Sequence, residues 1–328
     1  MKFYLKKIIR QREFSLFIVL ILLCAVIQWQ NPQFLTATVL DSILRNYSYT
    51  ILMATGMLMV LLVGGIDISV GATLALSGMT SALLMRDGIL PNAFLAYLTS
   101  LGVGLVCGLL VGFIISKGKV LPIIATLGFM YVYRGLTYFI SDSQWVGMQY
   151  LLQDYRDFSQ GSSLGISNLL WITIAVYIGV YILLRWTKLG RQIYAVGSNP
   201  EAALVSGIRI DRVKLFVYAF SGALAGISGA MFVGFYASAQ NNSAAGVELD
   251  IIAACVIGGV SLKGGQGTVP GVLLGALLIA VINRSLSLMG IDPFWQQALK
   301  GAVILIAVIA NILMQRHANR RTLEMREI

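Results

Sequence analysis

The chain has 328 residues, of which 58% are hydrophobic and only 12% charged, against about 25% charged in ordinary soluble domains. That excludes a soluble globular fold, which needs a large charged surface, and it excludes disorder, whose signature is low hydrophobicity. The formal charge of +10 is not a nucleic-acid signal, because the basic residues stand in short clusters between long apolar blocks, as topology signals do. The pattern is that of an all-α polytopic membrane protein.

The chain opens with a basic tail, 1–13, carrying Lys2, Lys6, Lys7, Arg10 and Arg12. The apolar stretch that follows runs to Ile27. Gln28, Trp29 and Gln30 then stand where a signal peptide would offer small residues for cleavage, so an uncleaved first span is expected. A membrane helix needs roughly 20 mostly apolar residues, because its backbone must satisfy its own hydrogen bonds in lipid. Ten spans are expected on that rule, at about 14–29, 43–63, 68–86, 93–116, 120–140, 168–186, 213–235, 250–262, 269–289 and 295–313. They form one transmembrane domain over 14–313, followed by a polar tail at 314–328. Taken alternately, the connections divide sharply. The N-terminal tail, the loops holding Lys117, Lys119, Arg185, Lys188, Arg191, Arg209, Arg212, Lys214 and Lys263, and the C-terminal tail together hold 18 of the 24 Lys and Arg. The loop at 30–42 has none beyond the first span, and 141–167 has Arg156 against Asp142, Asp154 and Asp157. The positive-inside rule then places both termini in the cytoplasm.

Small residues recur at spacing four in the fourth span (Gly104, Gly108, Gly112), the seventh (Gly222, Gly226, Ala230, Gly234) and the ninth (Gly271, Gly275). Such spacing lets helix backbones approach closely in lipid. The second span ends in Val63, Gly64, Gly65 and Ile66, and the eighth in Ile257, Gly258, Gly259 and Val260. That is a faint internal echo of the kind duplicated transporters show.

The largest basic connection has the most built-in structure. Asn199 can cap a helix whose first residue is Pro200. Glu201 falls in its first turn, where the dipole favours a carboxylate. Ala202 and Ala203 give it a smooth surface, and Gly207 ends it. A short capped helix with one acid suits docking to another protein, and it suits an interfacial connector equally well. Asp67 can cap the third span, or it can serve as a gate or path residue. Arg134, flanked by Tyr131, Tyr133 and Tyr138 within the fifth span, must snorkel, pair or line a wet cavity. Asn241, Asn242 and Glu248 lie in a polar stretch on the side opposite the basic loops, where they can receive a binding protein or remain solvated. The Gly-rich stretch from Gly258 to Gly271 does not supply the G-x-x-x-x-G-K-[ST] of a P-loop. Cys24, Cys107 and Cys255 each lie in an apolar run without metal-ligand or disulfide spacing. His317 is the single histidine, and no nucleophile and base form a set. No metal site, no cofactor and no catalytic residues are therefore expected in the chain itself.

Glu201, Ala202 and Ala203 with Gly207 resemble the Glu-Ala-Ala-x-x-x-Gly motif of ABC importer permeases. Further stretches are similar to the monosaccharide branch of that family, which includes the ribose and autoinducer-2 permeases. These are 64–71 (Gly-Gly-Ile-Asp-Ile-Ser-Val-Gly), 125–128 (Ala-Thr-Leu-Gly) with Arg134 and Gly135, 246–254, and 258–267. The likeness extends over roughly residues 35 to 310. Gln144, Trp145, Val146, Gly147 and the Cys255 segment lean toward the autoinducer-2 type. The resemblance implies that the 199–207 helix couples the permease to an ABC ATPase subunit, which holds the ATP and Mg. It further implies a second permease copy or a sister permease, a periplasmic substrate-binding protein, and a monosaccharide or sugar-like signal such as autoinducer-2, ribose or rhamnose, carried across the bacterial inner membrane. The alternative, an ion-coupled secondary transporter of a small polar solute, usually needs acids at membrane depth. The 14 Asp and Glu here lie almost entirely in connections.

Overall fold

The computed structural model describes residues 12–290 together with 292, 295–299, 301, 302 and 305. Most of the basic N-terminal tail, much of the expected tenth span and all of the 314–328 tail lie outside the described residues. The chain is helical nearly throughout. In order come α1 (Arg12–Gln30), α2 (Ala37–Leu62), α3 (Val70–Arg86), α4 (Ala93–Ser116) and α5 (Pro122–Ile140). A 3-10 turn (Met148–Tyr150), α6 (Gln153–Gln160) and a two-residue hairpin, β1 (Ser162–Ser163) with β2 (Ile166–Ser167), lead to α7 (Asn168–Trp186). Then follow α8 (Lys188–Ser198), α9 (Pro200–Val205), α10 (Ile210–Tyr236), α11 (Val247–Ile257) and α12 (Val269–Leu288).

Six of the described helices are long and apolar enough to cross a membrane: α1, α4, α5, α7, α10 and α12. The centre of the bundle is α2, α3 and α10. Their middle residues are almost all buried, Leu52, Leu58, Leu74 and Met231 completely. Around them α1, α4, α5 and α7 turn large apolar side chains outward, among them Leu22, Val106, Phe113, Phe139 and Ile178. That is an apolar exterior over a packed interior, as lipid solvation permits. The chain is an all-α, multi-pass membrane fold.

The glycine stripes of α4 and α10 face each other. A Cβ at Gly108 would strike the backbone of Tyr218, Ala219 and Gly222, and one at Gly226 would strike Ser100 and Gly104. No side chain intervenes, so the helices touch backbone to backbone. Gly271 and Gly275 of α12 pack in the same way on Ala254 and Gly258.

The eighth expected span is shorter than a crossing. It holds only the 11 residues of α11, about 16 Å at 1.5 Å per residue, half of a hydrocarbon core. Turns at 240–246 precede it and a glycine-rich loop follows. Periodicity sees the apolar run there, but not where the backbone leaves the helix.

Candidate functional site

The chain between α7 and α10 makes an elbow of two short helices at the basic end of the bundle. Thr187 caps α8, its Oγ1 accepting from the Gly190 N–H at 3.1 Å. Asn199 then ends α8 and caps α9, its Oδ1 accepting from the Ala202 N–H at 3.0 Å. Pro200 fills the first position, where no N–H is needed, and Glu201 lies in the first turn beside the free N–H groups. At the far end the Gly207 N–H donates to the Leu204 carbonyl (2.9 Å) and the Ile208 N–H to the Ala203 carbonyl (3.0 Å), the double closure of a Schellman motif. Gly207 has φ +78° and open space around it, so backbone conformation, not room, calls for glycine there. Ala203 is buried against the bundle. Outward stand Glu201, Ala202, Leu204 and Val205, the last 90% exposed.

Behind this face the elbow meets two turns. The Gly65 N–H donates to the Val60 carbonyl and the Gly64 N–H to the Leu61 carbonyl as α2 ends. The Val260 and Gly259 N–H groups do the same to Cys255 and Val256 as α11 ends. The internal echo is therefore real as geometry but shifted by one residue, with Gly64 matching Gly259 rather than Gly258. Gly197 of α8 sits where a Cβ would collide with the Leu62 carbonyl and the Gly265 N–H. That N–H donates to the Leu62 carbonyl at 2.9 Å, and the Tyr194 hydroxyl donates to the Gly267 carbonyl at 2.8 Å. One helix end thus locks onto both turns. Nothing in the sequence announces this junction, because lone glycines in separate segments carry no local signal of meeting.

Asp67 is buried in the connection from α2 to α3. Its Oδ1 accepts from the Ser69 N–H (2.9 Å) and the Ser69 hydroxyl (2.6 Å). It therefore closes an Asx turn ahead of α3, and Ser69 itself occupies the cap position. Burial pushes its carboxyl up to about 6, with the two Ser69 bonds opposing that rise.

Arg134 is paired with backbone. Its Nη1 donates to the carbonyls of Asn241 (3.1 Å) and Ser243 (2.9 Å). Asn241 is buried, and its Oδ1 accepts from the Ser141 hydroxyl at 2.7 Å. Val146 and Ala239 exchange two backbone bonds of 2.9 Å. These contacts tie the 237–246 loop to the end of α5. Asn242 remains exposed. Glu248 begins α11, with Oε1 accepting from the Gly246 N–H at 3.2 Å and Oε2 lying against Gly71 at the start of α3. Tyr131 is 69% exposed, on the α5 face it shares with Gly128, Gly135 and Tyr138. The structure thus gathers Arg134, Asn241 and Glu248 around the α10–α11 break, with Asp67 four residues before Gly71. The elbow residues form a separate site.

Comparison with known proteins agrees with this architecture. Residues 39–308 match the model of a family described as the permease component of branched-chain amino acid transport systems. The chain belongs to this permease family. It is 38% identical to the ribose import permease protein RbsC of Escherichia coli K12, over 90% of this chain and 92% of that one. It is 40% identical to RbsC of Bacillus subtilis 168, over 89% and 90%. It is 36% identical to the galactose/methyl galactoside import permease protein MglC of E. coli K12, over 92% and 94%. No solved structure matches the chain. The resemblance to importer permeases holds, and the chain is a transport subunit rather than an enzyme, multi-pass in the inner membrane.

Proposed function

We propose that this permease is the membrane subunit of an ATP-driven ABC importer for a neutral monosaccharide or a sugar-like signal, in the range of ribose, galactose, rhamnose and autoinducer-2. The observation that carries the motor half is α9, capped at both ends and rooted through Ala203, with Leu204 and Val205 turned away from the bundle. Exposed apolar side chains on a rigid helix beside a basic rim suit a groove on another protein. In this reading Asn199, Pro200, Glu201, Ala202, Ala203 and Gly207 form the coupling helix. An ABC ATPase subunit, holding ATP and Mg, seats on it at the cytoplasmic face. Both termini are cytoplasmic and the chain makes ten passes, the eighth of them by α11 together with the non-helical segments that flank it. A second permease copy or a sister permease completes the conduit. A periplasmic binding protein delivers solute at the opposite end, near Asn242.

The solute half rests on the relatives, which import ribose and galactose. Tyr131 supports a path along α5, being an exposed hydroxyl-bearing ring about half-way along the helix instead of near an end, where interfacial tyrosines gather. The test is uptake of labelled ribose or galactose into proteoliposomes holding the permease, the ATPase and the binding protein. Uptake is expected only with ATP. Uptake driven by an imposed proton or sodium gradient without the ATPase would instead establish ion-coupled secondary transport.

A further inference from the structure

A second polar region lies far from the elbow, where α10 gives way to the 237–246 loop. A cavity of about 500 Å³ opens there, lined chiefly by Phe232, Tyr236, Ser238, Gln240, Asn242 and Gln297. That volume falls in the range of small-molecule sites. Among the described residues nothing in the lining is charged. What it offers is two aromatic rings, 4.6 Å apart between centroids, three carboxamides and several hydroxyls. Among the described residues the side-chain amides of Gln240 and Asn242 have no hydrogen-bond partner, while the framework beneath them is fully engaged. Arg134 holds the carbonyls of Asn241 and Ser243, Ser141 holds the Asn241 side chain, and the Ser243 hydroxyl accepts from the Gln240 N–H at 3.2 Å. The loop backbone is thus pre-organised, so binding has only the free amide side chains left to order.

We infer that this cavity is a solute subsite of the permease, built for a neutral polyhydroxylated ring. Amides and hydroxyls both donate and accept, as a sugar hydroxyl requires. Aromatic faces cover its C–H surface. A zwitterionic amino acid would bring an ammonium and a carboxylate against described lining residues that offer no counter-charge, and that desolvation is unfavourable. The site therefore selects by chemistry within a family whose description names branched-chain amino acids. The inference rests on the sugar-import reading and assigns the residues that receive the sugar.

The experiment uses the full chain in lipid nanodiscs and reads saturation-transfer NMR with millimolar D-ribose, D-galactose or L-leucine as probe. At least one of the two sugars is expected to receive transfer from the wild-type protein, and leucine none. The double variant Gln240→Ala/Asn242→Ala should weaken sugar binding by roughly tenfold, the scale of two lost hydrogen-bonding groups. Both side chains are exposed and unbonded, so thermal unfolding should not change. Asn242→Trp, which fills the cavity without removing the framework, should abolish transfer. Sugar transfer undiminished in both variants overturns the site and leaves the importer reading intact. So does ATP-driven uptake of a sugar that gives no transfer in the wild type. Transfer to leucine and not to sugar overturns both.

Discussion

A Cβ added at Gly104 or Gly108 of α4 would run into the backbone of α10, whereas one added at Gly128 or Gly135 of α5 would meet nothing within 4 Å. The residue type is the same and its use is opposite. In the α4–α10 seam the chain supplies both surfaces, and glycine is what allows them to touch. On α5 the small face is left open beside Tyr131 and Tyr138, and no part of the described chain covers it. Small residues on a membrane helix therefore mark close approach, and only the packing tells whether the approaching partner belongs to the same chain.

The comparison breaks most visibly at Gly108→Leu. Four added heavy atoms would have to displace backbone, which costs several kcal/mol at a site that cannot yield. Monodisperse protein should be lost on size-exclusion chromatography, and a variant that purified and melted like the wild type would refute the seam.

The next largest effect concerns the buried interior itself. Asp67 has a carboxyl raised from 3.8 to about 6 by burial. A raised carboxyl pKa favours the folded state below the unfolded value, and that stability is lost as pH rises through about 6. Asp67→Asn keeps an oxygen for Ser69 and removes the buried charge. It should stabilise the protein by roughly 3 kcal/mol at pH 7.5 and by only about 0.5 kcal/mol at pH 4. Melting curves of the two proteins that stay parallel from pH 4 to 8 would contradict this.

At the elbow, Glu201→Lys or Gly207→Val should reduce ATPase co-purification about tenfold, the lysine with the melting of the permease almost unchanged and the valine with about 1–2 kcal/mol of left-handed backbone strain added to the folded state. Full retention of the ATPase in both variants would remove the docking role. The smallest effect on stability belongs to the open face. Gly135→Leu should alter it by less than about 0.5 kcal/mol, as for a surface change, yet lower uptake. Loss of folding there would show that α5 is packed after all.

Much of this was readable in the residues. The α9 helix was, down to its cap at Asn199 and its stop at Gly207, because capping chemistry is local and sits within nine residues. The seam was half readable: spacing four announced close contacts, but not that α4 and α10 were partners. Arg134 was legible as a residue in need of a partner, while its choice of two backbone carbonyls depended on a loop more than a hundred residues away. The length of α11 and the Gly197 junction were not legible, since both are set by where distant backbones meet. Gln240 lies in the polar stretch for which the sequence offers a binding-protein contact or a solvated loop, because an open cavity has no sequence signature.

The Gly197 contact has a mechanical consequence. A side chain between α8 and the Leu62–Gly265 bond would act as a spring, absorbing part of any displacement of the elbow. With bare backbone on all three sides there is no slack, and a shift of the elbow by an ångström is a shift of both glycine turns by about as much. The two short helices that flank those turns, α3 and α11, begin beside each other at Gly71 and Glu248. A single stroke at the surface therefore reaches the middle of the bundle from two directions at once.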